Sequence, residues 1–438
     1  MALNNIKKLL HLSPIGQNIS INARRFKSLS CKVLIVGGGS GGCSVSAKFS
    51  KILKKHELII VEPSDIHYYQ ALFTLVGAGI RSLKDSLRST ASVLPKNSTW
   101  IKDSVVEFKP ETNSVLLSNG DQITYDYIVI STGLILHFEE IVGLNEALTT
   151  PYVCSNYSPE YVENTYKVLQ KLESGNAVFT YPDSPVKCPG APQKICYLTE
   201  DYLRINGKRD KVNIYYNTSL PVIFGVKRYA DALWKIVENR GIHVNLRTNL
   251  VKIDPDKRIA YFENLDNPDI KTQLEYNMLH VTPPMSPPNV IKKNKLLVNE
   301  AGFVDVDKNT LQHIRFPNVF SLGDCCSTPN SKTAAAIGCQ SKVLYDNINC
   351  LIDGKKMSRS YNGYASCPLV TGYNSCILAE FDYDLQPLET LPFRQDQERW
   401  IFYFLKKDIL PPLYWHLMLR GVWNGPGIVR KLLRLKLK

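Results

Sequence analysis

The sequence predicts an α/β protein with two nucleotide-binding units, the first interrupted by the second. Three stretches of its 438 residues carry that reading. Lys32–Glu62 reads as strand, glycine turn, helix, second strand and terminal acid. A second alternation of strands and helices opens at Asn176 with NAVFTY. Late in the chain, Asn318–Leu322 reads as a strand running into Gly323-Asp324, just ahead of another helix. Strands alternating with helical segments signal a mostly parallel sheet covered by helices. The expected fold is therefore two Rossmann-like dinucleotide-binding domains, the first discontinuous and the second inserted into it.

In the first stretch Gly37, Gly39 and Gly42 fill a G-x-G-x-x-G pattern around Ser40 and Gly41. The first glycine permits the turn, the second lets backbone approach a pyrophosphate, and the third lets helix pack on strand. The helix expected over Ser44–Leu53 offers free N–H groups and a positive dipole end to the anion. Glu62 lies 20 positions after Gly42, where an acid accepts from ribose hydroxyls. Residues 63–79 are aromatic, glycine-rich and long for a connection, as in a ligand wall. Trp100–Phe108 reads as one strand centred on Val105 and Val106. Asn119-Gly120 reads as a hairpin turn between Ser114–Leu117 and Gln122–Tyr125. Tyr127–Ile130 is a further buried strand ending in Ser131-Thr132-Gly133.

After a helix over Pro159–Glu173, the second unit has strands near 176–181, 211–217 and 243–246, with helices over Ala191–Leu203 and Tyr229–Asn239. Its first turn, PDSPVKCPGAPQK, holds four prolines, one glycine and Cys188. A proline-stiffened loop cannot wrap backbone amides around a pyrophosphate, so the unit keeps the fold without a nicotinamide motif. A proline linker at 282–288 leads back to the first domain. There Asp324 is placed to bind the polar chain of a flavin. A helix from Thr333, preceded by Lys332, is placed to stabilise charge on the reduced ring. The expected boundaries are 1–30, 31–147, 148–288, 289–385 and 386–438.

A hydrophobic fraction of 44% and a charged fraction of 21% describe a globular protein with a full core. The net charge of +13 admits nucleic acid, an anionic membrane or a targeting peptide. Its concentration at the two chain ends selects the last two, and no nucleic-acid partner is expected. Residues 1–30 carry Lys7, Lys8, Arg24, Arg25 and Lys27, and the first acid is Glu57. That is the composition of a mitochondrial transit peptide. From Arg399 onward there are nine Lys/Arg and one acid, Asp408, beside the apolar LPPLYWHLML. The segment is too short to span a bilayer and suits an interfacial anchor on anionic lipid. The 11 cysteines have no zinc spacing, so no metal is expected. Cys188 and Cys367 each precede a proline in an expected loop, and Lys187 stands beside the first as a candidate stabiliser of its thiolate.

The stretches VKCPGAPQKICYLTE, SLGDCCSTPNSKTAAA, YASCPLVTGYNSCILAEFDY and PPLYWHLMLRGVWNGPG resemble the mitochondrial type of sulfide:quinone oxidoreductase over about residues 31–427. The resemblance implies FAD, hydrogen sulfide and ubiquinone as cofactor and substrates, and glutathione or sulfite as sulfane acceptor. It also implies a seat on the mitochondrial inner membrane, at the matrix face. Cys188 and Cys367 are the implied redox pair, with sulfane leaving from Cys188. Ser40, Gly41, Glu62, Gln70, Val105, Asp324 and Lys332 fall where the family contacts FAD. Bacterial relatives use a third cysteine, for which Cys154 is the candidate here. Three rivals remain: a type II NADH:quinone oxidoreductase, which would want a glycine triplet where Cys188 stands; a disulfide reductase, which would want two close cysteines near Cys43; and a flavoprotein that binds without turnover.

Overall fold

The computed structural model describes residues 27–433, so the leader-like segment falls almost wholly outside the described residues. Among the described residues, the first sheet has seven strands. Thr99–Ile101, Leu58–Val61, Ser28–Val36 and Gln122–Ile130 run parallel in that order. Val33, Ile35, Leu58 and Ile60 face one core cluster, while Leu34, Val36, Ile59 and Val61 face another. Both faces are therefore apolar, as a sheet covered on both sides requires. Val36 pairs with Val61 and with Ile130, and Ile130 pairs with Ser321 of the late strand Val319–Ser321. Four strands thus end level, bringing Gly37, Glu62, Ser131 and Leu322 to one edge. Ligands of such sheets bind at that carboxyl edge.

The sequence reading erred locally. The single strand expected over Trp100–Phe108 is two, Thr99–Ile101 and Val105–Lys109, on opposite edges of the sheet. Asp103 breaks it: its carboxylate accepts from Ser104 N at 2.7 Å in a local turn. Conversely, the two strands expected around Asp126 are one, Gln122–Ile130. That strand pairs along its length with Ser28–Val36, and on its other side with the hairpin strand Ser114–Leu117 and then with Val319–Ser321. The helix after the glycine turn starts earlier, over Ser40–Phe49. The first strand also begins at Ser28, ahead of the boundary expected at residue 31.

The second sheet is parallel, in the order Val153–Cys154, Met278–His280, Gly175–Tyr181, Val212–Thr218 and Ile242–Asn245. The chain crosses between the units twice, and Ile135–Leu136 pairs antiparallel with Met285–Ser286 where it does so. A hairpin, Ala365–Gly372 with Ser375–Phe381, then packs on the helix Ala191–Ile205 of the second unit. Helical turns over residues 400–418 follow, widening to π turns on both sides of Leu410–Leu413. Pro411 and Pro412 supply no amide hydrogens there, which disrupts regular i→i−4 bonding. No described helix is long and apolar enough to cross a membrane.

A Cβ on Gly42 would lie 1.8 Å from the Gly37 carbonyl oxygen. Gly42→Val is therefore expected to cost about 3 kcal/mol or more. Chemical denaturation of the purified protein would show the lower stability.

Candidate functional site

The carboxyl edge of the first sheet opens into a cleft of about 700 Å³ that continues to the second unit and the C-terminal helix. Gly37, Gly39, Ser40, Gly41, Glu62 and Gln70 line it, as do Asp324, Lys332, Cys188 and Cys367. Two expected contacts lie elsewhere. Gly42 sits behind the turn. Val105 pairs with Leu117 in the second core cluster and is not among the lining residues.

The turn is built for an anionic ligand. A Cβ on Gly39 or Gly133 would meet nothing within 4 Å, so both present bare backbone to open space. The helix from Ser40 has no acid in its first turn, leaving its positive end uncompensated. Thr132 also lines the cleft. Glu62 accepts from Gly38 N at 2.6 Å and Ser64 N at 2.8 Å, which fixes its carboxylate at the rim. Burial pushes the Asp324 carboxyl up, against the pull of Lys332 and Lys187. Lys332 Nζ donates to the carbonyls of Cys326 and Thr328, at 2.7 and 2.8 Å, holding the loop ahead of the helix Ala334–Ile352. These residues fit a dinucleotide with a flavin at its far end.

At that end sit the two thiols. Cys188 lies in the proline loop with φ of 53°, and its N–H donates to the Lys332 carbonyl at 2.8 Å. Its own carbonyl accepts from Ala191 N at 2.9 Å and Tyr157 Oη at 3.2 Å. Cys367 is not in a loop as expected but in the strand Ala365–Gly372, opposite Ala379. Pro368 is tolerated because the strand has one neighbour and needs no amide on its free side. Cys188 is half-buried and open to the cleft, while Cys367 is 3% exposed. A hydrogen bond from Cys367 holds the Cys188 thiol well below its ordinary range, aided by Lys194 and Lys406, and Cys367 is raised in turn.

The lysine that serves the thiols is not Lys187. Lys194 Nζ is 3.2 Å from Cys188 Sγ and 3.8 Å from Cys367 Sγ. The two thiols hold its ammonium charged despite burial. Lys187 is lowered to about 8 by burial, and Asp324 opposes that more than Cys188 does. Sequence adjacency misled here: Lys194 follows Cys188 by six positions, and the loop turning into the helix Ala191–Ile205 folds it back over the sulfur. Lys406, from the C-terminal π turn, donates to Ala71 O at 2.7 Å, and burial lowers it to about 8.

Other residues that pattern reading passed over link the cleft to the C-terminal segment. The Tyr414 hydroxyl is 2.7 Å from Ser40 Oγ and 2.6 Å from His67 Nε2. Its ring stacks on Tyr69 at 4.0 Å. His67 Nδ1 lies 3.2 Å from the Gly38 carbonyl, and burial lowers the imidazole to about 4, keeping it neutral. Nothing in residue spacing joins positions 67 and 414. The remaining cysteines stand apart: Cys154 is fully buried and its thiol is raised to about 12 by burial, and Cys325 and Cys326 lie in the second core cluster. None of the three lines the cleft.

Comparison with known proteins agrees with this geometry. The family model described as pyridine nucleotide-disulphide oxidoreductase matches residues 31–174 and 204–338. The mitochondrial sulfide:quinone oxidoreductase of Mus musculus is 51% identical over 405 residues, 92% of this chain and 90% of that one. The crystal structure of the sulfide:quinone oxidoreductase from the hyperthermophilic bacterium Aquifex aeolicus superposes with a TM-score of 0.77 at 21% identity, covering 94% of this chain and 96% of that chain. NDH2 from Plasmodium falciparum, solved with NADH, is more distant: TM-score 0.52 at 16% identity, over 68% of this chain and 65% of that chain.

Replacing Lys194 with Met removes the cation nearest Cys188. Iodoacetamide labelling of the reduced protein should then shift to higher pH and slow about tenfold near neutrality. An unchanged pH profile would separate Lys194 from the thiolate.

Proposed function

The chain belongs to the mitochondrial sulfide:quinone oxidoreductases, and from that premise we propose that Cys188 and Cys367 relay electrons from hydrogen sulfide to bound FAD and on to ubiquinone. The observation that carries this reading is the thiol pair under Lys194, at the end of a cleft that starts with a dinucleotide turn. A type II NADH:quinone oxidoreductase would instead need backbone amides around a second pyrophosphate, where this chain has the proline loop.

In the oxidised resting state hydrosulfide attacks Cys188, the more exposed sulfur of a Cys188–Cys367 bridge. The S–S bond breaks, Cys188 becomes a persulfide, and Cys367 leaves as a thiolate facing Lys194 and Lys406. An acceptor thiolate, or sulfite, then takes the outer sulfur and returns Cys188 as a thiolate. Re-forming the bridge releases two electrons; FAD, when bound in the cleft, would supply the two-electron acceptor for them and the route to quinone. Gly37–Gly41 and the helix from Ser40 would hold the pyrophosphate, Glu62 a ribose, and Gln70, Asp324 and Lys332 the flavin end.

Quinone access and membrane seating are assigned to the C-terminal segment. Trp400, Ile401, Ile409 and Leu417 are exposed there, as are Val422, Ile428, Leu432 and Leu433. Apolar side chains beside Lys407, Arg420 and Lys431 suit an interfacial site on anionic lipid. The proposed location is the matrix face of the mitochondrial inner membrane, after loss of a leader ending before the strand at Ser28.

Two outcomes are expected. Cys188→Ser and Cys367→Ser should each lower sulfide-dependent quinone reduction at least a thousandfold while flavin stays bound; anaerobic mixing with sulfide should bleach only the wild-type flavin, and NADH neither. Truncating the C-terminal segment would strip the core of Phe402, Tyr414 and Trp415, so surface changes test the anchor better. The triple variant Trp400→Ser, Ile428→Ser, Leu432→Ser should lose most of its binding to cardiolipin-containing liposomes in flotation assays, with its thermal stability retained.

A further inference from the structure

Beyond Gly425 the C-terminal segment is fastened differently from the part before it. Up to Asn424 it is tied down, with Lys48 Nζ donating to Gly421 O at 2.8 Å and to Asn424 Oδ1. The short helix that follows, Gly427–Leu432, has two faces. Val429, with Trp423 and Pro426 ahead of it, lines the cleft. Ile428 and Leu432 are 65% and 76% exposed. Among the described residues, every hydrogen bond and ion pair joining Gly427–Leu432 to the chain before Gly425 comes from Arg430.

That fastening is incomplete. Arg430 is buried, its Nη2 donates to Leu388 O at 2.5 Å, and its guanidinium lies 4.9 Å from the Tyr364 ring centre. The acid it faces, Glu380, is 3.7 Å away. Its Nε is closed off without a partner, which buried donors rarely tolerate. Glu380 does not depend on Arg430. Its carboxylate also accepts from Tyr364 Oη at 2.5 Å, from Thr390 N and Oγ1 at 2.7 Å, and from Gln395 Nε2 at 2.8 Å. Withdrawing Arg430 therefore orphans no acid and frees a sealed donor. Cys339 lies beneath the segment, since a Cβ on Gly425 would come within 2.2 Å of its Sγ. Burial pushes that thiol up to about 12, outweighing the opposite pull of Arg430.

A surface shifts such an arrangement only by binding its two states unequally. An anionic lipid face does this. Ile428 and Leu432 can enter it in either state, whereas Arg430 can pair with a lipid phosphate only after leaving Glu380. We propose that Gly427–Leu432 is a cap on the cleft that anionic lipid opens, exchanging the Arg430–Glu380 contact for an Arg430–phosphate pair and admitting quinone from the bilayer. The inference rests on the membrane and quinone readings above.

The test uses flavin-loaded full-length enzyme with vesicles of phosphatidylcholine, alone or mixed with cardiolipin, and a short-chain, water-soluble ubiquinone. Cardiolipin should raise the wild-type kcat/KM for that quinone about tenfold. Iodoacetamide labelling of Cys339, read by peptide mass spectrometry, should speed up by a similar factor. Arg430→Met should show the raised values on both vesicles, with anaerobic bleaching of its flavin by sulfide unchanged. Cardiolipin dependence retained in full by that variant would overturn the cap. So would equal labelling of wild-type Cys339 on the two vesicles, a result that needs no variant to fold. Flotation of the same samples reports on the premise. Wild type that does not float with cardiolipin vesicles would fail the membrane reading, whereas wild type that floats with Cys339 still covered would fail the cap alone.

Discussion

The arrangement depends on one backbone hydrogen bond, from Cys188 N to the Lys332 carbonyl. It joins the inserted unit to the loop preceding the last helix of the first unit, and it places the sulfur. Cysteine has no intrinsic preference for a φ of 53°, a conformation that costs a side-chain-bearing residue on the order of 1 kcal/mol or more. The conformation holds because the residue is bonded on both sides: its N–H to Lys332, its carbonyl to Tyr157 and to the first turn of the helix Ala191–Ile205. Pro189 and Pro192 limit the alternatives of the flanking chain. A Cβ on Gly190 would come within 2.8 Å of Cys367 Sγ, so the second sulfur reaches its partner across a glycine. Movement between the units would therefore move the sulfur relative to the cofactor edge, and the double crossing at Ile135–Leu136 and Met285–Ser286 limits that movement.

Charge follows from the same geometry. Lys194 and Lys406 are buried beside the two thiols, with Lys187 near Cys188. Burial works against each ammonium, and only Lys194, in hydrogen-bond contact with sulfur, gains more than it loses. A thiolate there is therefore favoured by position, without a neighbouring base. It also means that the proposed relay would change charge inside a cationic pocket, where each sulfur that became anionic would be met by an ammonium already in place.

Features governed by local rules were readable from residues. The glycine turn, the strand Leu58–Val61 with Glu62 at its end, the Asn119-Gly120 hairpin and the helix capped by Thr333 are each determined within a few positions. One mistake fell where tertiary pairing overrode local signals, and another where a local turn was passed over. Asp126 did not break Gln122–Ile130, because partners on both sides hold it extended, and the Asp103 turn sent one expected strand to two edges of the sheet. The site was legible to the level of the cysteines and the dinucleotide turn. Lys194 was hidden because a neighbour in sequence, Lys187, offered the simpler reading. Lys406, His67 and Tyr414 were hidden because no spacing rule spans more than three hundred positions.

Those distant residues change what the C-terminal segment is. As an appended anchor it would expose its apolar side chains and contribute none to the cleft. Instead Phe402, Tyr414 and Met418 line the cleft beside Lys406, and the Tyr414 hydroxyl bridges the Ser40 turn and a neutral His67. Since burial keeps the imidazole neutral, its two nitrogens divide into one donor and one acceptor. Nδ1–H can then serve the Gly38 carbonyl, leaving Nε2 to accept from Tyr414 and the tyrosine oxygen to accept from Ser40. Every donor in that chain has an acceptor in this order, which a charged imidazole would reverse at Tyr414. The segment that carries the exposed apolar face is thereby locked to the turn that would hold the pyrophosphate, so that face and the cleft form parts of one packed unit.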